Sequence, residues 1–123
     1  MTHAAIGLAA LVFGAAATVG VQAETIRGVL VDKACYERDS RNTGQKHADR
    51  PLDECARTCA KYGLPLAVLT TDGKLYQVIG DLAAKRNAKM ADYVTRTVEV
   101  TGAVTKDAEG QLRIDGTSIK PVI

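Results

Sequence analysis

Three cysteines, Cys35, Cys55 and Cys59, occur in the 123 residues, and one of the two histidines, His47, falls among them. Their order is C, H, C-x-x-x-C. Cys55 and Cys59 stand one helical turn apart in DECARTCAKYGLP, so a helix over that segment aims both thiols to one side. Cys35 and His47 could fold over the same point. Four soft or borderline donors of this kind suit Zn(II) in a tetrahedral site, or Cu(I), which prefers thiolates and accepts fewer ligands. The spacing is not that of a zinc finger. The competing chemistry is a disulfide from Cys35 to Cys55 or Cys59. It would close a loop of roughly 20 residues and contribute about 3 kcal/mol in a chain-entropy picture, with one thiol left over. A redox-active thiol set is a third reading.

Other chemistries find less support. There is no C-x-x-C pair, no C-x-x-C-H and no phosphate loop. Nucleophilic catalysis would need His47 paired with a cysteine, and no known signature surrounds them. The neighbouring carboxylates Asp53 and Glu54 fit a helix start better than an acid/base pair. The expectation is a binding protein rather than an enzyme. Its cofactor would be copper or zinc, or else it would be a disulfide-stapled interaction domain that meets a periplasmic protein partner.

Compartment decides what these thiols can become. From Ala4 to Val21 the chain is uncharged and apolar, and Val21-Gln22-Ala23 is a small-residue cleavage site. Residues 1–23 therefore read as a signal peptide, although the segment before the apolar run lacks Lys and Arg. An uncleaved anchor is the alternative, but the run is short and rich in Ala and Gly for a membrane span. Cleavage would release a periplasmic chain beginning at Glu24, with no stable membrane insertion. The leader carries no Lys, Arg, Asp or Glu, so all 16 basic and 14 acidic residues remain, for a net charge of +2. So mixed a balance argues against a nucleic-acid surface.

These residues must be positioned by about 100 others, enough for one modest core. Residues 24–123 show no repeat or linker and read as a single domain. Residues 25–33 are rich in branched side chains and read as a strand with Gly28 as a bulge, followed by a polar loop over 36–51. Asp53 as N-cap and Gly63 with Pro65 as stop predict a helix over 54–62. Residues 66–70 and 74–79 flank an Asp-Gly turn and predict a hairpin. A second helix is expected over 82–93, with a thin apolar stripe. Alternation predicts a strand over 97–104, and residues 111–123 supply one or two closing strands split at Asp115-Gly116. A helix between the third and fourth of five strands is the layout of a small OB-like five-stranded barrel, mainly β with two short helices.

Over GVLVDKACY, His47, CARTCAKYGLPLAVLTTDGKLY and VEVTGAV, the chain resembles a group of small exported bacterial OB-fold-like proteins. Their shared pattern is D-x-x-C-Y, then H, then C-A-x-x-C-A. The resemblance implies an exported OB-like domain and points to Cys35, His47, Cys55 and Cys59. It supplies no activity.

Overall fold

Period-two alternation closes a barrel. In the computed structural model, which describes residues 22–42 and 52–123 (52–55 by backbone alone), five strands form a closed sheet in the order β1-β2-β3-β5-β4. They are β1 (Ala23–Asp32), β2 (Leu66–Leu69), β3 (Leu75–Ile79), β4 (Thr97–Lys106) and β5 (Leu112–Pro121). All neighbours are antiparallel except β3 and β5. The long first strand serves both sides: its N-terminal part pairs with β4 and its C-terminal part with β2. The chain is thus a mainly β, OB-like five-stranded barrel with short helices.

The inner face follows from the alternation. Leu30, Leu66, Val68, Val78, Val98, Val100 and Ile114 are buried in one cluster, joined by Ala56 and Ala60 from outside the sheet. Burial at this level stabilises by about 1.5–3 kcal/mol per large aliphatic side chain, before the entropy of ordering is subtracted. The turn between β2 and β3 forms as its Asp-Gly pair predicts. Gly73 takes φ 86° and donates its N–H to the Thr70 carbonyl, and Thr70 N–H returns to the Lys74 carbonyl.

Several expectations are corrected. Gly28 lies in regular pairing, opposite Val98, and is no bulge. It is required instead by a close approach, because a Cβ there would sit 2.2 Å from the Leu69 carbonyl oxygen. The closing segment is one strand, β5, and its irregularity is a register shift opposite Thr101 and Gly102 that leaves Thr117 over. Part of the expected loop over 36–51 is helical: α1 spans Lys33–Arg38 directly after β1. Residues 43–51 lie outside the described residues. So does the expected leader, up to residue 21; Ala23 already belongs to β1.

The helix expected over 82–93 is replaced by two short 3-10 turns, Gly80–Ala83 and Ala91–Tyr93, around a left-handed turn. The reason lies in the side chains. A continuous helix would carry Arg86 on the same face as Leu82 and Met90, four and eight positions on, and so into the core. The chain reverses its hand at Lys85, Arg86 and Asn87, with φ between 55° and 58°. Leu82, Met90, Ala91 and Val94 then all join the core without Arg86.

Candidate functional site

Each described cysteine sits on an element that closes off the β1–β2 connection. Helix α2 spans Leu52–Lys61, beginning ahead of Asp53, which therefore lies inside its first turn and not at its N-cap. Ala56 and Ala60, four apart, turn inward to the core, while Arg57, Thr58 and Lys61 face solvent. Cys59 falls on the flank between these two faces and is half-buried. The helix stops at Gly63, with φ 88°, where Gly63 N–H bonds the Ala60 carbonyl at 3.0 Å and Leu64 N–H bonds the Cys59 carbonyl at 3.2 Å.

Cys35, also half-buried, occupies the first turn of α1. Asp32 caps that helix: its Oδ1 accepts from Cys35 N–H at 3.1 Å. The Cys35 carbonyl is gripped as well, by Asp39 N–H at 3.1 Å and by the Asn42 side-chain amide at 2.9 Å. Asn87, carried by the left-handed turn, donates its amide to the carbonyls of Ala60, at 2.9 Å, and Leu64, at 2.8 Å.

The buried polar side chains among the described residues are Asp32, Asn42 and Asn87. All three hold peptide groups of Cys35 or of the chain just after Cys59. Burying a polar group is costly unless its bonds are made, so these contacts fix the backbone around both cysteines. Asp32 Oδ2 is buried and makes no hydrogen bond among the described residues. None of the three was singled out by residue type. The sequence carries a signal for Asp32, an N-cap ahead of the helix-forming KACYER with Lys33 and Glu37 spaced for the 3.0 Å ion pair they form. For Asn87 the signal is faint, since Asn tolerates left-handed backbone but nothing local demands it.

The β4–β5 turn is organised by one carboxylate. Asp107 accepts from Gln111 N–H and Glu109 N–H, both at 2.9 Å, and these bonds with Arg113 and Lys33 hold its carboxyl below the ordinary value of 3.8.

Of the four sequence-predicted ligands, Cys35 and Cys59 are thus placed on two elements packed against β1. His47 and the side chain of Cys55 lie outside the described residues. Among the described residues, no three His, Cys, Asp or Glu side chains form a group that could hold a metal ion. No helix among them is long and apolar enough to cross a membrane. No protein-family model matches the chain, and comparisons with curated proteins and with solved structures find no match.

Proposed function

We propose that the protein is an exported, non-enzymatic binding module that holds one Cu(I) or Zn(II) ion through Cys35, Cys55 and Cys59, with His47 as fourth ligand, for sequestration or delivery. The observation that carries this reading is the use made of buried polarity. Asp32, Asn42 and Asn87 each place a side-chain hydrogen bond on the backbone at or just after a cysteine. A disulfide imposes its own geometry, whereas a metal site needs its ligands held before the metal arrives. The helical spacing of Cys55 and Cys59, the thiolate preference of both metals and the resemblance to exported OB-like proteins support the same reading.

Native mass spectrometry of the exported protein, purified without chelator, tests it. The expected mass is raised by one metal ion less the displaced thiol protons, and Cys55→Ser and Cys59→Ser each abolish stoichiometric binding. Metal bound equally by both variants would sink the proposal. A metal-free mass lower by two hydrogens would replace it with the disulfide-stapled interaction domain, whose remaining thiol would then need a partner.

A further inference from the structure

On the face of α2 turned away from the barrel, Thr58, Lys61 and Tyr62 form one wall of a hollow of about 320 Å³, and Arg86 forms the other. The stem of Arg86 lies against Gly63, where an added Cβ would be 3.5 Å from its Cα and Cγ. No acidic side chain among the described residues lines the hollow. Among the described residues, neither Lys61 nor Arg86 takes part in an ion pair, so both charges are available to a ligand. Tyr62 is 73% exposed, more than any other aromatic side chain among the described residues.

Arg86 reaches this position only because the backbone runs left-handed through it, at φ 56° and ψ 49°, directly after Lys85 at φ 55° and ψ 49°. Non-glycine residues there are strained, and such strain persists where the surroundings impose it, often at ligand clamps. Asn87 has its own return in the two carbonyls it satisfies. Cations also gather near helix C-termini to meet the helix dipole. That role is already filled here, since Asn87, Gly63 and Leu64 bond the last carbonyls of α2.

We infer that the hollow binds a small oxyanion-bearing ligand, phosphate or carboxylate, with the Arg86 guanidinium as forked donor, Lys61 as counter-charge, Thr58 as a hydroxyl donor and Tyr62 as a platform for the ligand's planar part. Arginine matches the two-oxygen edge of either group, and the volume suits a compact molecule rather than a bare ion. The site uses none of the cysteines, so it stands or falls separately from metal binding.

Amide NMR titration of the protein with inorganic phosphate, citrate and phenyl phosphate, against sodium chloride at matched ionic strength, tests it. Saturable shifts are expected at residues 58–63 and 84–88, with either oxyanion class supporting the site and identifying the preferred one. Phenyl phosphate should bind more tightly than phosphate and lose that advantage in Tyr62→Ala. Arg86→Gly fits the left-handed backbone and keeps the fold while removing the guanidinium; it should weaken binding about tenfold or more. Lys61→Gln should weaken it as well. No saturable shift with any probe, shifts reproduced by chloride, or unaltered affinity in a folded Arg86→Gly protein would each overturn the inference.

Discussion

The side-chain amide of Asn87 meets the carbonyl of Ala60 at 2.9 Å across 27 positions of sequence, and so ties the left-handed turn at residues 85–87 to the end of the helix that carries Cys59. Its second bond, to the Leu64 carbonyl at 2.8 Å, fixes the exit from that helix. Asn87→Ala would remove the side-chain donor from the Leu64 carbonyl, leave the Ala60 carbonyl with Gly63 N–H alone, and place a residue without a compensating side chain at φ 58°. Together these cost about 3 kcal/mol. Asn87→Gly loses the bonds but accepts the backbone, so urea unfolding should find it less damaged than the alanine variant. A loss under about 0.5 kcal/mol in Asn87→Ala would mean the bonds contribute nothing.

Asp32 acts on Cys35 through the backbone and is a positioning residue. Removing the cap with Asp32→Ala should cost about 1 kcal/mol of stability. If the cysteines bind metal, it should also weaken that binding by roughly 10–100-fold, with the stoichiometry of one ion preserved. Asp32→Asn retains an oxygen for Cys35 N–H and should recover part of both losses. Titration calorimetry in a competing chelator separates the two effects. Loss of stoichiometry in Asp32→Asn would make the carboxylate a ligand instead.

How far the sequence disclosed this arrangement depends on the range of the interactions involved. The alternation at Val98 and Val100, the Asp-Gly turn at Asp72 and Gly73, and the stop at Gly63 are local signals, and each produced the expected element. Helix α1 was also locally encoded, but its short run of Lys33 to Arg38 is followed by residues typical of loops, which outweighed the cap at Asp32. The segment 82–93 misled because helix propensity favoured Ala, Lys and Arg there, while the core would not accept Arg86. At the candidate site, the shared helix of Cys55 and Cys59 was legible from its stop at Gly63 and Pro65. The bonds from Asn87 to the end of that helix were not, because no periodicity links residues 23 and 27 apart.

The barrel's tightest points make a sharp contrast with its open turns. A Cβ at Gly28 would stand 2.2 Å from the Leu69 carbonyl oxygen, which belongs to the adjoining β2 backbone and cannot swing away. Gly28→Ala should therefore cost about 3 kcal/mol or more, or prevent folding. Gly110, at φ 82°, has nothing within 4 Å of an added Cβ, so Gly110→Ala bears only backbone strain, about 1 kcal/mol. Chemical denaturation of the two variants side by side tests whether contact or conformation governs; equal losses would contradict the close approach of β1 to β2.

Asp107 gives the β4–β5 turn a dependence on pH whose sign is fixed. The N–H groups of Gln111 and Glu109 favour its ionised form, with Arg113 at 3.4 Å and Lys33 adding to the effect, so its folded pKa lies below the ordinary 3.8. A carboxylate depressed in this way contributes stability that is fully present above its unfolded value and is lost as pH falls through its folded value. Asp107→Asn, which removes the charge but keeps an oxygen for the turn, should melt below the wild type at pH 6. The gap should persist to about pH 4 and close below it as the wild-type carboxylate takes up its proton. Thermal melts from pH 6 down to the acid limit of folding would show this convergence. A gap of constant size throughout would mean that the charge contributes nothing and that the carbonyl-like acceptor alone organises the turn.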